Sequence, residues 1–313
     1  MRGRVIDAIY RRMGENPDIF FLTADMGINL VEPIQESYPS RYLNVGIAEQ
    51  NLISVSAGLC NLGFRPFAYA ISHFVTQRCL EQFRNDVVLH AYPVTLVGTQ
   101  AGFDNAPLGP THHIVDDWGV LRSLPLVRIY CPSSVSYAET LVDRVLEESV
   151  PAYIRIPTGS FDTPDSAGDA VLVGEPMGRV LLVSYGAPVQ NCLKVRGRRT
   201  DVNVLVLNKL RPLPGDLLAE ALGGHEVAVT VEDHSPDTGL CGALCQFAVE
   251  RGIGTHVAGA GPRGYSLRVG SSAHYYERMF GIDPDGIEQL IDENLARDAV
   301  SRAENPDRDG SSG

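Results

Sequence analysis

The sequence predicts an α/β protein made of two three-layer domains, each with a parallel sheet between helices. The first observation is a series of continuous apolar runs, such as "IFFLT" and "PVTLVGT", which are typical of strands buried on both faces. The second is their regular alternation with segments of helical spacing. The third is the length of 313 residues, which suits two domains joined by a polar stretch.

The first half of the chain alternates helices with strands. Residues 2–13 carry apolar side chains at helical spacing and predict an amphipathic helix. The other elements expected there are strands at 19–25, 65–71, 93–99, 126–132 and 151–157, and helices at 48–63, 74–90, 116–124 and 134–149. The loop "QAGFDNAPLGPTHH" (100–113) follows the third of these strands.

A second α/β pattern follows "TGSFDTPDSAGDA" (158–170), whose Gly, Pro and polar residues predict a linker. The elements expected after it are strands at 179–186, 226–234 and 255–261, a strand and a turn within 201–214, and helices at 217–224 and 239–254. The basic "KVRGRR" (194–199) lies between two strand-like runs and is expected to be a solvated loop. Residues 299–313 are polar and predict a disordered tail.

The composition narrows the classes of function. The formal net charge is −12 and no long basic run occurs, which argues against nucleic-acid binding. The six cysteines lack the paired spacing of a zinc site and predict free thiols in a reducing compartment, so no metal ligand is proposed on this chain. No signal-peptide pattern and no apolar run of about 18 residues is found, and we expect a cytoplasmic protein without membrane contact.

One carboxylate raises a question about function. In "NVGIAEQNLISVSAGL" (44–59), Glu49 begins a predicted helix and has apolar residues on nearly every side. Burying a carboxylate without a partner costs several kcal/mol. Two interpretations are open: Glu49 is a helix-start residue stabilised by the helix dipole, or it binds a partner that the chain does not contain.

Three segments, "VGIAEQN", "GPTHH" and "VTVEDHSPDTGL", occur in this order and resemble the transketolase family of thiamine-diphosphate enzymes. The resemblance covers residues 1 to about 297 and corresponds to the second and third domains of a full transketolase. It implies a pyrimidine-binding domain at 1–163, a linker at 164–172 and a transketolase C-terminal-like domain at 173–298, followed by the tail at 299–313.

The diphosphate-binding part of the family is not found in this sequence. Family members hold the cofactor's diphosphate through Mg²⁺ with a GDG motif, and no GDG occurs here. The resemblance therefore implies that thiamine diphosphate and Mg²⁺ are shared with a diphosphate-binding partner subunit. The chain resembles the smaller subunit of a split transketolase, and we expect an α₂β₂ assembly that is active only when both subunits are present.

The resemblance also implies the cofactor contacts, which would come from Glu49, Phe74, Asp25 and Ile47. In the family, the glutamate at the position of Glu49 hydrogen-bonds N1′ of the pyrimidine and favours the imino form that activates the thiazolium. Phe74, in "SHF" (72–74), would stack on the pyrimidine ring, although one extra residue before "EQFR" leaves Val75 as an alternative. Asp25 matches an aspartate near the thiazolium, with a turn cap as its other interpretation.

Two histidines would contact the substrate. His112 matches the family's "GPTH" histidine, which hydrogen-bonds the oxygens of the two-carbon unit, so it is the second catalytic candidate besides Glu49. Its neighbour His113 replaces the usual glutamine. Both lie in a loop after a strand, where binding residues of α/β proteins concentrate.

The remaining substrate contacts implied by the resemblance are those of a sugar phosphate. Arg2 and Arg155 match the two arginines that hold it, although Arg155 could instead form a surface ion pair. Asn29 and Gln100 stand where a serine and a histidine are usual, and Leu108 replaces an acid that reads a substrate hydroxyl. These replacements indicate a less charged acceptor pocket.

The leading functional hypothesis is transfer of a two-carbon unit from a ketose (phosphate) or a 2-oxo acid to an acceptor. One alternative is the β subunit of the first component of a 2-oxo acid dehydrogenase, which has similar length and domains but lacks a "GPTH" loop. The other alternative is a non-catalytic regulatory subunit, against which the presence of Glu49 and His112 argues.

Overall fold

A computed structural model describes residues 1–158 and 163–304 of the chain, without the side chains of 301–304. Within these residues, the strands are β1 (Ile19–Thr23), β2 (Tyr42–Asn44), β3 (Arg65–Ile71), β4 (Thr95–Thr99), β5 (Arg128–Tyr130), β6 (Ala152–Ile156), β7 (Ala170–Val173), β8 (Gly178–Ser184), β9 (Val202–Leu207), β10 (Lys209–Arg211), β11 (His225–Val231) and β12 (His256–Ala260). The helices are α1 (Arg2–Glu15), α2 (Glu32–Ser37), α3 (Glu49–Asn61), α4 (Ser72–Val75), α5 (Leu80–Gln82), α6 (Asp117–Arg122), α7 (Val135–Glu148), α8 (Val189–Arg198), α9 (Gly215–Gly223), α10 (Leu240–Arg251), α11 (Ala273–Met279) and α12 (Pro284–Glu304).

The first sheet has the strand order β10-β5-β6-β4-β3-β1-β2. Every neighbouring pair is parallel except β10 with β5, and β10 comes from the second half of the chain. All five residues of β1, β4 and β6 are buried, as expected for apolar strands covered by helices on both faces.

The second sheet has the order β12-β11-β8-β9-β7, and only β7 of these strands runs antiparallel to its neighbour. The two halves share apolar packing, with the rings of Trp118 and Tyr185 centred 5.8 Å apart. The prediction of two α/β domains is confirmed, with one antiparallel strand added to each sheet. None of the helices described here is both long and apolar enough to cross a membrane.

The long helix predicted at 74–90 is broken in the structure. α4 ends at Val75, a 3₁₀ turn covers Gln77–Cys79, and a π-helical segment covers Phe83–Val88 after α5. The apolar residues Val75, Cys79, Phe83 and Val87 recur at every fourth position, and all four are fully buried. A regular helix of 3.6 residues per turn would rotate this series away from the core, so the irregular turns keep it there.

The basic segment "KVRGRR" is not the loop that the sequence suggests, because α8 continues to Arg198. Val195 is buried on its inner face. On the outer face, Arg198 Nη1 lies 2.8 Å from Asp285 Oδ1, and Arg199 Nη1, just after the helix, lies 2.6 Å from Asp292 Oδ1. The basic residues therefore dock α8 against α12, which the local sequence does not reveal.

The segments between and after the domains also differ in detail from the expectation. β7 begins at Ala170, inside the range 164–172 predicted as linker, and pairs with β9. α12 extends to Glu304, and thus into the range 299–313 predicted as tail. The remainder of that tail and residues 159–162 of the linker stretch lie outside the described residues.

Candidate active site

The candidate residues follow strands whose carboxyl ends meet at one edge of the first sheet. Thr23 at the end of β1 is in register with Asn44 of β2 and Tyr69 of β3, and Ile71 of β3 with Thr99 of β4. β2 lies beside β1 on one side, and the chain then crosses over so that β3 lies on the other side of β1. Ligands of open α/β sheets bind at such a reversal of strand order, outside the carboxyl ends.

Glu49 is the first residue of α3 and is only 3% exposed. The loop before it is held by Asn44, whose Oδ1 accepts hydrogen bonds from the backbone N–H of Asp25 (3.0 Å) and of Gly46 (2.9 Å). Gly46 has φ +76°, a value that favours glycine. The hydrogen-bonded turn therefore fixes the position of the Glu49 carboxylate, which lies at the positive end of the helix dipole.

The sequence led us to expect apolar surroundings for Glu49, but the structure gives the carboxylate a cationic partner. Arg78 Nη1 donates to Glu49 Oε2 at 2.7 Å. The same guanidinium lies over the ring of Phe74, with its carbon 3.8 Å from the ring centroid. Arg78 belongs to the 3₁₀ turn in the broken helix, and 37% of its side chain is exposed.

Phe74, and not Val75, faces the site. Val75 is fully buried in the core, whereas Phe74 is half-buried beside Arg78. The ring of Phe74 also meets the imidazole of His112 edge-on, with the centroids 5.4 Å apart. The structure thus clusters Glu49, Phe74 and His112 at one position, although they lie far apart in sequence.

His112 follows a 3₁₀ segment, Ala106–Thr111, in the loop after β4. Gly109 has φ +74°, which lets the loop reverse before His112. The hydroxyl of Thr111 lies 3.0 Å from His112 Nδ1. His112 is half-buried, so its ring is held on one side by Phe74 while part of it stays accessible.

Asp25, Ile47 and Asn29 lie at the exposed rim of the same edge. Asp25 has φ +53° after β1, and its Oδ1 accepts a hydrogen bond of 3.3 Å from the Asn44 side chain. Ile47 is 80% exposed and lies two residues before Glu49. Asn29 has φ +62°, and its backbone N–H donates to Glu32 Oε1 at 2.7 Å. The structure therefore places these three residues near the candidate site.

Gln100 and Arg2 also lie at this end of the sheet. Gln100 follows β4 directly with φ +58° and is half-buried. Arg2 is exposed at the start of α1, near the phenol of Tyr69 in β3. Burial raises the pKa of Tyr69, and the charge of Arg2 offsets part of that rise.

Arg155 does not lie in the candidate site, which corrects both interpretations drawn from the sequence. Its side chain is 0% exposed between the two domains. Its Nε donates to Asp117 Oδ2 at 2.9 Å, and its Nη2 lies 3.0 Å from Asp233 Oδ1. An arginine whose charge is already shared by two buried carboxylates cannot serve as an accessible phosphate ligand, nor is it a surface ion pair.

His113 is likewise withdrawn from solvent and corrects the expectation of a substrate contact. It is 4% exposed and packs edge-on against the rings of Phe103 and Tyr276, at centroid distances of 5.6 and 4.8 Å. Burial lowers its pKa, and the charge of His73 lowers it further. A neutral histidine in this position connects the loop after β4 to α11 of the second domain.

The motif "VTVEDHSPDTGL" lies at the interdomain boundary, where His234 Nε2 accepts a hydrogen bond of 3.2 Å from the backbone N–H of Gly119 in α6. Glu232, just after β11, accepts hydrogen bonds from the backbone N–H of Leu240 (2.7 Å) and Cys241 (2.9 Å) at the start of α10. Burial raises the pKa of Glu232 to about 8. Burial also raises the pKa of Asp233 to about 6, against the opposing influence of Arg155.

Arg78 is the site residue that sequence reasoning missed. The sequence places it within a regular helix, where an arginine is usually a solvated residue. One signal in the sequence could have revealed it. Compared with the family pattern, one extra residue lies between "SHF" and "EQFR", and an insertion in a helix requires a wider turn.

The geometry suits a flat, nitrogen-rich ring. Arg78 shows that a planar group can place an N–H on the Glu49 carboxylate while it lies against the face of Phe74. An aminopyrimidine has the same planarity and presents nitrogen atoms at its edge. Glu49 and Phe74 therefore fit the pyrimidine half of thiamine diphosphate.

Comparison with protein families gives two matches. Residues 1–163 match the model of the transketolase pyrimidine binding domain, which is more than half of the 313 residues. Residues 168–287 match the model of the transketolase C-terminal domain.

Two curated relatives are similar to the chain over most of its length. A 1-deoxy-D-xylulose-5-phosphate synthase of Thiobacillus denitrificans is 32% identical over 86% of this chain, which spans only 44% of that synthase. One of the subunits of an apulose-4-phosphate transketolase of Actinobacillus succinogenes is 28% identical, over 83% of this chain and 86% of that relative.

A solved structure described as a split gene transketolase, inactive beta4 tetramer, has the same fold. It superposes with a TM-score of 0.81 and 25% identity, covering 94% of this chain and 98% of the other. The similarity therefore extends over both domains.

Proposed function

Because the chain belongs to the transketolase family, we propose that it is the smaller subunit of a split, thiamine-diphosphate-dependent transketolase-type enzyme. The enzyme transfers a two-carbon unit from a ketose (phosphate) or a 2-oxo acid to an acceptor. Mg²⁺ and the cofactor's diphosphate are held by a partner subunit, and two copies of each subunit form the active assembly.

The observation that carries this proposal is the convergence of Glu49, Phe74 and His112. Glu49 is a buried carboxylate 2.7 Å from a donor that lies on Phe74, and Phe74 meets His112 at 5.4 Å. A carboxylate, an aromatic face and an imidazole at one accessible edge are what an aminopyrimidine and its attached substrate require.

Each residue has a separate task in the proposed reaction. Bound thiamine diphosphate would supply the carbon nucleophile that attacks the donor carbonyl. Glu49 would hold a proton between its carboxyl and the pyrimidine N1′, and Phe74 would orient the ring by stacking. His112 would hydrogen-bond the oxygens of the two-carbon unit, and its contacts with Thr111 and Phe74 would fix its ring.

The relatives support the division into subunits. The Actinobacillus succinogenes protein is described as one subunit of a transketolase and matches this chain over 86% of its own length. The solved split gene transketolase is described as inactive in a tetramer of β chains. We expect the same of this chain in isolation, because half of the cofactor contacts would be missing.

The test is to purify the chain alone and together with a diphosphate-domain subunit from the same genome. Turnover is measured with ketose phosphates and with 2-oxo acids as donors, with and without thiamine diphosphate and Mg²⁺. We expect turnover only when both subunits, the cofactor and the metal are present.

Three results would change the proposal. Turnover by the isolated chain would refute a split enzyme. Activity that requires a lipoyl domain would identify the β subunit of a 2-oxo acid dehydrogenase first component instead. Full activity of a Glu49→Ala complex would remove Glu49 from the cofactor site and favour a regulatory subunit.

A further inference from the structure

Arg78 makes two contacts that the proposed function assigns to the cofactor. Its Nη1 donates to Glu49 Oε2 at 2.7 Å, where the pyrimidine N1′ is expected. Its guanidinium carbon lies 3.8 Å from the centroid of Phe74, within stacking distance of that ring. One planar cation thus uses both the carboxylate and the aromatic face.

We propose that Arg78 occupies the place of the aminopyrimidine ring in the cofactor-free protein, and that it must leave this place before thiamine diphosphate binds. The inference rests on the proposed function, because it takes Glu49 and Phe74 as the ring site. It adds a competing side chain that sets the affinity for the cofactor.

The cofactor-free protein has a physical reason to keep Arg78 there. Glu49 is 3% exposed, and a buried carboxylate without a counter-charge is costly. Arg78 neutralises it, and the contact of the guanidinium with Phe74 adds a cation–π attraction. The contact therefore holds the Glu49 carboxylate in place while the ring is absent.

Arg78 also has a route out of the site. With 37% of its side chain exposed, its charged group can reach water by rotating its long side chain. It lies in a 3₁₀ turn between Thr76 and α5, not within a regular helix. Departure of Arg78 therefore requires no rearrangement of the core residues Val75 and Cys79, which lie on either side of it in sequence.

Competition of this kind has a measurable consequence. If the arrangement with Arg78 in place is about ten times more populated than the open one, the apparent Kd of the cofactor is raised about tenfold. Removing the guanidinium should then tighten binding, whereas removing a residue that touches the bound cofactor would weaken it.

The test uses the assembled complex of both subunits and measures thiamine-diphosphate binding, in the presence of Mg²⁺, by titration calorimetry. Arg78→Ala should lower the Kd about tenfold, and Arg78→Lys, which keeps the charge but not the plane, should lower it less. Arg84→Ala is the matched control, because Arg84 is exposed in the following π-helical segment. Its Kd should equal that of the wild type.

A second measurement needs no turnover. Arg78→Ala should lower the melting temperature of the cofactor-free complex more than that of the cofactor-bound complex, since only the former contains the Glu49–Arg78 contact. If Arg78→Ala does not assemble, Arg78→Lys is used for both measurements.

The outcomes separate this inference from the proposed function. A weaker or unchanged Kd for Arg78→Ala, with a wild type that binds the cofactor, refutes the competing role alone. A wild-type complex that binds no thiamine diphosphate refutes the proposed function itself.

Discussion

Two arginine–carboxylate contacts of this protein differ in how far water reaches them. Arg155 is 0% exposed between the domains and is shared by Asp117 and Asp233. Arg78 is 37% exposed at the candidate site, and only its partner Glu49 is buried. A fully desolvated cluster loses stability when one member is removed, whereas a half-exposed cation can be rehydrated. The interdomain contact is therefore fixed, and the contact at the site can open.

The largest expected effect belongs to the fixed contact. Arg155→Ala leaves Asp117 and Asp233 buried without a counter-charge and should lower the free energy of unfolding by about 3–5 kcal/mol. Urea unfolding monitored through Trp118, the single tryptophan of the chain, measures this loss. Exposed Arg84 serves as the control, and Arg84→Ala should stay within about 0.5 kcal/mol of the wild type. A loss below about 1 kcal/mol for Arg155→Ala would show that the two contacts do not differ as argued.

The second effect concerns activity instead of stability. Glu49→Gln retains the shape of the side chain but cannot hold a proton as a carboxyl does, so kcat of the assembled complex should fall about 100-fold. This loss corresponds to about 2.7 kcal/mol in the activation free energy. The free energy of unfolding should change by about 1 kcal/mol or less, because Arg78 can turn to water. Equal losses of stability for Glu49→Gln and Arg155→Ala would contradict the comparison.

A third prediction uses the pH dependence of the interdomain boundary. The pKa of Glu232 is raised from 4.5 to about 8, so the folded state binds more protons, and stability falls as pH rises between these values. Buried His234 and the amino group of Met1 have lowered pKa values and act in the opposite direction, His234 below its ordinary value of 6.5 and the amino group below 8.0. The raised pKa values of the buried cysteine thiols act in the same direction as Glu232, mainly above about pH 8. Between about pH 7 and pH 8, the contribution of Glu232 to the free energy of unfolding should therefore fall by about 1 kcal/mol per pH unit.

Urea unfolding at the two ends of this range gives the slope. Glu232→Gln removes this titrating group, so the slopes of the wild type and the variant should differ by about 1 kcal/mol per pH unit, whatever the effect on absolute stability. An equal slope in the variant and the wild type would assign the pH dependence to other groups.

The smallest expected effect is the response to salt. Mobile ions screen exposed charges and reach a buried cluster poorly. The stability difference between the wild type and Arg78→Ala should shrink by a few tenths of a kcal/mol between low salt and about 1 M salt. The difference for Arg155→Ala should stay constant. If salt changed the stability difference by the same amount for both variants, the two contacts would be equally exposed to solvent.

The sequence by itself determined the architecture and indicated candidates for the site. Continuous apolar runs and helical spacing placed most strands and helices, because burial on both faces of a sheet leaves a local pattern. The order of "VGIAEQN", "GPTHH" and "VTVEDHSPDTGL" indicated the family that the comparisons show. It also pointed to Glu49 at the start of a helix as the cofactor-binding candidate, and the structure shows that this residue is buried.

Only the tertiary structure decided which charges face each other. Arg155 and Arg78 are both arginines in plausible positions, but the first is enclosed by the second domain and the second is turned onto Phe74 by a broken helix. His113 is likewise withdrawn by contact with Tyr276 of the second domain. The physical reason is that burial and pairing of a polar side chain depend on elements distant in sequence, whereas secondary structure depends largely on local spacing.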